Sequence, residues 1–270
     1  MIEKGFVYVL YGKQLRHYNE AIGSISTLLL HNPNAKVIVL AEMPDFFSET
    51  EQVTIVKLDD ALKSQWLSKS DYHFRLKLSG LRYLLENYVK VAIFLDSDTL
   101  VKKNIMHYFN EISSKQSVLH KLEGHLSKKR FSRQYKNALD RTFSHPEYGD
   151  YHISKSDPMY NSGFIGVDQS HLDIFDTALW LMEEISQVIT FHTAEQFALG
   201  LLLMQKGNIL TVGDGDVYHY WHKKPRLFIH EELKREVENN SVQKLLESPF
   251  LSKGIRARRP FLRWLQDKVH

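Results

Sequence analysis

Short apolar runs alternate along the chain with longer segments whose apolar positions recur every three or four residues. The short runs predict strands and the longer segments predict amphipathic helices. The predicted strands span residues 6–10, 36–40, 53–58, 91–95, 117–119 and 161–168. The predicted helices span residues 18–30, 71–88, 172–189 and 193–204. This alternation predicts an α/β fold that opens with a β-α-β unit, in which nucleotides bind near the first crossover.

The stretch 91–101 places two carboxylates at the end of a strand. Five apolar residues run directly into Asp96-Ser97-Asp98. Such a run is typical of a strand buried on both faces of a parallel sheet, and ligands bind at the carboxyl ends of these strands. In an extended chain Asp96 and Asp98 point the same way and Ser97 points the opposite way. Convergent carboxylates repel unless a cation joins them, and oxygen ligands favour Mg²⁺ or Mn²⁺. A polar strand end without a ligand is the alternative interpretation.

The opening β-α-β unit lacks a glycine-rich loop for phosphates, because Gly12 stands alone after the first strand. A nucleotide bound there would be held by its base and ribose. Tyr11 is placed to stack on a base, although it also fits as an ordinary strand-end aromatic residue. In the helix 71–88, the cations Arg75 and Lys77 either face solvent or contact phosphates.

Small and polar residues lead into the strand 161–168. The sequence Asn161-Ser162-Gly163 allows a ligand to approach the backbone closely. The helix 193–204 has Glu195 and Gln196 in its first turn, where an acidic residue also interacts favourably with the helix dipole.

Imidazoles and cations crowd together after residue 218. His219 and His222 flank two aromatic residues, and Lys223 and Lys224 follow directly. A single histidine is more often structural, but two histidines followed by two lysines after a strand indicate a site for metal and phosphate.

Residues 120–160 differ from their surroundings, since they are basic, aromatic and poor in aliphatic side chains. They predict an insertion in a domain spanning residues 1–230. The insertion is either a solvated loop and helix, or a lid or acceptor-binding segment suited to an acidic or phosphorylated substrate. Residues 231–270 predict a basic helical tail of the same unit. Its end, 253–270, fits a helix lying on an anionic membrane surface, or a docked terminal helix with solvated arginines.

Composition excludes several kinds of chemistry. The chain has 270 residues and no cysteine, so disulfides, thiolate nucleophiles and zinc–thiolate sites are ruled out. The formal charge of +3 is modest, and we expect no nucleic-acid partner. The N-terminus lacks the pattern of a signal peptide, and no apolar run approaches the roughly 20 residues of a spanning helix. We therefore expect a cytoplasmic protein, with the tail as a candidate peripheral contact at the inner face of the membrane.

The order of these motifs resembles that of the GT-A-fold glycosyltransferases, and most closely glycosyltransferase family 8, the group of glycogenin and the bacterial lipopolysaccharide galactosyltransferases. The matching stretches together extend over residues 6–225. They are Phe74-Arg75-Leu76-Lys77-Leu78, Phe94-Leu95-Asp96-Ser97-Asp98-Thr99-Leu100-Val101, Tyr160-Asn161-Ser162-Gly163-Phe164, Glu195-Gln196, His219-Tyr220 and Lys224-Pro225.

The resemblance implies a GT-A type, Rossmann-like, mixed and mainly parallel sheet flanked by helices. It also implies sugar transfer, with retention of anomeric configuration, from a nucleotide sugar that is usually UDP-linked. Asp96, Asp98 and His219 would hold Mn²⁺ or Mg²⁺ against the donor diphosphate. Together with Tyr11, which is proposed from its place at the end of the first strand, the predicted donor-binding residues are Arg75, Lys77, Asp96, Ser97 and Lys224.

The resemblance also implies roles at the donor sugar. Asn161 would hydrogen-bond this sugar, Glu195 and Gln196 would lie near its reacting face, and Lys224 would hold the leaving diphosphate. Three departures from the family pattern stand out. Glu195 replaces an aspartate, and His222 replaces a glycine, so His222 is an alternative to His219 as metal ligand. A third departure is Arg226, which stands where the family has tryptophan.

Other functions share parts of this pattern. A haloacid-dehalogenase-type phosphatase also has an Asp-x-Asp motif, but there one residue separates the second aspartate from a threonine, whereas Thr99 directly follows Asp98. A nucleotidyltransferase would need a glycine-rich loop after the first strand. A non-catalytic nucleotide-sugar-binding protein remains open. The basic segments favour an anionic, glycan or lipid-linked acceptor.

Overall fold

The computed structural model describes residues 1–67, 72–189, 193–223, 225–227, 229–230 and 233. Lys224 and the predicted tail helix at 253–270 lie outside the described residues. Eleven strands are present in the described part of the chain: β1 Ile2–Leu10, β2 Val37–Ala41, β3 Val53–Lys57, β4 Val89–Leu95, β5 Thr99–Val101, β6 Gln116–His125, β7 Thr142–His145, β8 Gly149–His152, β9 Pro158–Asp168, β10 Asn208–Thr211 and β11 Val217–His219.

Seven strands form the central sheet, in the order β10-β6-β9-β4-β1-β2-β3. The strands β3, β2, β1 and β4 pair in parallel, and β10 pairs in parallel with β6. Strand β9 runs antiparallel to both of its neighbours, β4 and β6. The predicted α/β class with a mainly parallel central sheet is therefore confirmed. Two small antiparallel pairs accompany it, β5 with β11 and β7 with β8.

Helices cover both faces of this sheet. Their bounds are α1 Leu15–His31, α2 Asp60–Leu67, α3 Arg75–Asn87, α4 Lys129–Gln134, α5 Phe175–Val188 and α6 Ala194–Lys206. Alternate residues of β1 enter opposite cores, because side chains of a strand alternate between faces. Val7 and Val9 pack with the apolar side chains of α3, α5 and α6. Phe6 and Tyr8 pack with those of α1.

The segment 120–160 is tied to the fold more closely than an insertion would be. Its first residues belong to β6 and its last to β9, both strands of the central sheet. Between them, Phe131, Tyr135 and Ile153 are fully buried in the core that also contains α3 and α6. The predicted insertion is therefore not a fully solvated loop and helix, because a few of its large side chains supply apolar area to the core.

Among the described residues, none of the helices combines the length and apolar character needed to cross a membrane.

A buried chain of hydrogen bonds connects the sheet to the turn that follows β4. The Tyr8 hydroxyl bonds Ser24 Oγ at 2.9 Å, and Ser24 Oγ bonds Thr99 Oγ1 at 2.7 Å. The Thr99 hydroxyl donates to the carbonyl oxygen of Asp96 at 2.7 Å. Because each hydroxyl can donate a hydrogen bond to the next oxygen in the series, the chain fixes the backbone at Asp96 from within the core.

Replacing the central member of this chain tests its contribution. Ser24→Ala leaves the hydroxyl of Tyr8 buried without its acceptor, and we expect it to lower the free energy of unfolding by about 1–3 kcal/mol. Ser26, on the same helix, is also fully buried, and its hydroxyl has no hydrogen-bond partner among the described residues. Ser26→Ala should therefore cost no stability. Equal losses for the two variants in urea unfolding would contradict this role of Ser24.

Candidate functional site

A cavity of about 550 Å³ lies at the carboxyl ends of β1 and β4. This is the position at which open α/β sheets bind ligands. The cavity brings together nine of the residues that the sequence singles out. They are Tyr11, Lys77, Asp96, Ser97, Asp98, Asn161, Glu195, Gln196 and His219.

Two other candidates, Arg75 and His222, are not part of this cavity lining. The Arg75 guanidinium pairs with Glu183 of α5, and its Nε donates to a backbone carbonyl, so this side chain is directed towards α5. His222 is exposed and does not line the cavity. Lys224 lies outside the described residues, so its predicted contact with a diphosphate stays a prediction.

The Asp96–Asp98 segment forms a turn and is not extended. The predicted alternation of side chains along a strand is therefore wrong here, and Ser97 lines the cavity together with both aspartates. The turn leads into β5, whose Thr99 is the register partner of His219 in β11. The amide of Tyr220 donates to the carbonyl oxygen of Asp98 at 3.0 Å. Strand pairing therefore brings His219 beside the aspartates.

Asp96, Asp98 and His219 form a cluster that we call the metal triad. Nε2 of His219 lies 3.1 Å from Oδ1 of Asp98 and 3.7 Å from Oδ2 of Asp96. One ligand atom from each residue can be chosen so that all lie within 4.8 Å of one another. Two carboxylates and an imidazole are a donor set that fits a divalent cation such as Mn²⁺ or Mg²⁺.

Asn161 orients the His219 ring. Its Oδ1 lies 2.8 Å from Nδ1 of His219 and accepts a hydrogen bond from the Gly163 amide at 3.0 Å. Because this oxygen is only an acceptor, the contact assigns a proton to Nδ1 and directs Nε2 towards the carboxylates. In that geometry Nε2 needs either a second proton or a metal ion. A carbonyl partner behind a ligating histidine is typical of metal sites.

Gly163 makes room for the histidine. A Cβ atom at this position would overlap the imidazole ring of His219. The small residue in the middle of β9 therefore admits a side chain of the protein itself. The sequence predicted close approach of a ligand at this point, and Asn161 was expected to contact the donor sugar. In the structure Oδ1 of Asn161 bonds His219 and Gly163, and its Nδ2 donates to Glu123 at 3.2 Å.

Each aspartate of the triad is paired with a cation. Nζ of Lys77 lies 2.9 and 3.0 Å from the two carboxylate oxygens of Asp96 and also donates to Ser162. Nη1 of Arg226 lies 3.1 Å from Oδ2 of Asp98. Burial acts to raise the pKa of Asp98, but the neighbouring His219 and Arg226 hold it well below its usual range. Asp98 is thus kept ready as an anionic ligand.

The first turn of α6 contributes a buried acid to the cavity. Glu195 is 5% exposed, and the Tyr72 hydroxyl donates to its Oε2 at 3.3 Å. Burial raises its pKa to about 7; Lys77 acts against this shift and Asp96 adds to it. Next to it, Oε1 of Gln196 accepts from the Ser162 amide at 3.3 Å and so links α6 to β9.

Sequence reasoning assigned no role at the site to Arg226, Glu20, Glu123 or Arg130. Arg226 ion-pairs with both Asp98 and Glu20, while Glu123 and Arg130 line the cavity. Glu20 gave no detectable signal, because at helical spacing it shares its side of the helix with Ser24 and Thr27, a polar side that predicts exposure to solvent. The signal for Arg226 was its substitution for the tryptophan of the resembled motif.

The chain matches no protein-family model and no curated protein sequence.

Enlarging Gly163 tests the packing behind the metal triad. Gly163→Ala should displace the His219 ring from Asn161 and weaken Mn²⁺ binding by about 10- to 100-fold. The measurement is titration of free Mn²⁺ by electron paramagnetic resonance. Gly200→Ala is the control, since a Cβ there meets Tyr160 at an ordinary distance of 3.6 Å. Unchanged Mn²⁺ affinity in Gly163→Ala would show that the ring position does not matter for binding.

The raised pKa of Glu195 predicts a pH-dependent effect on stability. The folded state keeps a proton up to about pH 7 that the unfolded chain releases near pH 4.5, so stability falls as pH rises between these values. Glu195→Gln removes this loss. We expect the free energy of unfolding of the variant to exceed that of the wild type by at most about 3 kcal/mol at pH 8 and to match it near pH 4. A difference independent of pH in urea unfolding would contradict the assignment.

Proposed function

We propose that this protein is a metal-dependent glycosyltransferase that moves a sugar from a nucleotide sugar, UDP-linked in our proposal, to a glycan or lipid-linked acceptor. The observation that carries the proposal is the metal triad within the cavity, with Lys77 and Arg226 paired to its two aspartates. Such a mixture of carboxylates and cations accommodates a phosphate-bearing ligand, because a bound divalent ion can bridge the carboxylates of the protein and the phosphates of the ligand.

The fold supports a nucleotide ligand. The cavity lies at the carboxyl ends of adjacent parallel strands, where mononucleotides bind in α/β sheets. The mixed and mainly parallel sheet with helices on both faces agrees with the GT-A type that the motif order suggests. Tyr11 and Gly12, at the end of β1, line the cavity and are proposed to contact the base and ribose.

Sugar transfer breaks the bond between the anomeric carbon and an oxygen of the diphosphate. The electron pair of that bond stays on this oxygen and leaves with the diphosphate. A divalent cation held by the triad would stabilise the charge that develops on the departing diphosphate. Lys77 fixes the Asp96 carboxylate with two short contacts, and Asn161 fixes the imidazole of His219. These contacts orient the ligands before substrate arrives, which reduces the reorganisation needed during the reaction.

Glu195 and Gln196 are the candidates for contacts at the reacting sugar. Both line the cavity, and both are held by hydrogen bonds from neighbouring elements. A carboxyl group with a pKa of about 7 is partly ionised at neutral pH, and its ionised form can accept a proton or stabilise positive charge that develops on the reacting sugar. Retention of configuration is part of the proposal and comes from the family resemblance.

The acceptor is proposed to be anionic. Arg130 lines the cavity, and its guanidinium carbon lies 5.2 Å from the ring centroid of Trp221, which lines it as well. A cation beside an aromatic ring suits a sugar that bears a phosphate or carboxylate. The basic tail, which would serve a membrane-bound acceptor, lies outside the described residues.

A thermal-shift panel of nucleotide sugars tests the proposal. At a concentration about 100 times Kd, the correct donor with Mn²⁺ should stabilise the wild type by about 2.7 kcal/mol. Asp98→Asn should abolish the metal-dependent part of this shift. Asp150→Asn, in the exposed hairpin strand β8, is the control and should respond as the wild type does.

The same samples are then assayed for turnover. Release of the nucleoside diphosphate, with the sugar passed to an acceptor or to water, is the expected result. Binding without release would identify a non-catalytic nucleotide-sugar-binding protein. Release of inorganic phosphate from a phosphate ester would instead favour a phosphatase. If none of the nucleotide sugars gives a metal-dependent shift, the proposed function is wrong.

A further inference from the structure

Arg226 connects the metal triad to a buried acid on α1. Its Nε and Nη2 contact the two carboxylate oxygens of Glu20 at 2.7 and 2.6 Å. Its remaining terminal nitrogen, Nη1, lies 3.1 Å from Oδ2 of Asp98. The guanidinium is therefore shared between a carboxylate in the core and a carboxylate of the triad.

The contact with Glu20 is the firmer of the two. Glu20 is fully buried, and a bidentate pair fixes the plane of the guanidinium. Losing the cation would leave a buried carboxylate without its main charge partner, which is costly. The contact with Asp98 is a single one, made by a side chain that is 22% exposed and lines the cavity. Nη1 is thus the part of Arg226 that can exchange partners.

The two carboxylate oxygens of Asp98 face different partners. Oδ1 faces His219 and the centre of the triad, whereas Oδ2 faces Arg226. A divalent ion entering the triad would share the charge of this carboxylate with a guanidinium already present. Because the ion and the guanidinium repel each other across the same buried carboxylate, binding of the ion is disfavoured when no anionic ligand accompanies it. A diphosphate supplies the negative charge that both cations can share.

We propose that Arg226 is a phosphate-binding residue that makes metal binding depend on a diphosphate ligand. Glu20 holds the guanidinium in place, and Nη1 passes from Asp98 to a phosphate oxygen when ligand and metal enter together. This inference rests on the proposed function and deepens it. It assigns a ligand-binding role to a residue at which the chain departs from the resembled motif.

The test measures two affinities with purified full-length protein. Free Mn²⁺ is titrated by electron paramagnetic resonance, with and without UDP, and with inorganic pyrophosphate as a probe that lacks a base. In the wild type the diphosphate should tighten Mn²⁺ binding by a factor within the roughly 5- to 150-fold range of measured couplings. Arg226→Met should bind Mn²⁺ alone several-fold more tightly than the wild type does. Its affinity for the diphosphate in saturating Mn²⁺ should fall about tenfold.

Two further variants keep the test decisive. Arg226→Met leaves Glu20 buried without its main charge partner. The double variant Arg226→Met with Glu20→Gln removes both charges, and like the single variant it should bind Mn²⁺ more tightly and the diphosphate more weakly than the wild type. Arg82→Met is the matched control, because this guanidinium pairs with Glu86 and Asp176 and does not line the cavity. It should leave both affinities unchanged. Circular dichroism verifies that each variant is folded.

The possible results separate the two proposals. One result would overturn the inference: the wild type shows metal-dependent diphosphate binding, and both Arg226 variants have the same affinities for Mn²⁺ and for the diphosphate as the wild type. Arg226 would then be only a structural link between α1 and the segment after β11. A parallel loss of Mn²⁺ and diphosphate affinity would also contradict the inference. If the wild type binds neither diphosphate with Mn²⁺, the proposed function fails as well.

Discussion

The repulsion between the carboxylates of Asp96 and Asp98 is the constraint on which the structure of this site depends. Two anions in one turn, one of them nearly buried, require compensation from elements that are distant in sequence. Lys77 from α3 contacts the first carboxylate, and Arg226 contacts the second. His219 lies beside both. The cavity is thus surrounded by charges that balance one another, and a divalent cation with an anionic ligand can enter without leaving a charge unpaired.

The sheet makes this convergence possible. Strand β9 runs antiparallel between β4 and β6, so its middle, and not its end, lies beside the carboxyl end of β4. Asn161 and Gly163 are consequently next to the Asp96 turn, whose amide donates to the Gly163 carbonyl at 3.1 Å. The pairing of β5 with β11 then supplies His219. An all-parallel sheet would have carried the Asn161 segment to the opposite edge.

The sequence predicted the elements with strong apolar patterns, including β1, β4, α1 and α5, because each buries a continuous run or a periodic face. The order of the motifs also singled out Asp96, Asp98 and His219, which the structure brings together. The sequence missed the short strand β5 and gave no bounds for the strand before His222, since three residues carry too little periodicity. It misplaced Arg75, because a helical spacing does not tell which cation faces a cavity and which pairs with Glu183. The contact between Glu20 and Arg226 spans 206 positions, and local patterns cannot reveal it.

We propose that Asp96, Asp98 and His219 together hold one divalent cation against a diphosphate. The decisive measurement is anomalous X-ray diffraction at the manganese edge, using crystals grown with Mn²⁺ and a nucleoside diphosphate. We expect one anomalous peak within coordination distance of both carboxylates and of Nε2 of His219, adjoining the density of two phosphates. A diphosphate bound in the cavity with no manganese peak at the triad, or with the peak at other residues, would contradict the claim.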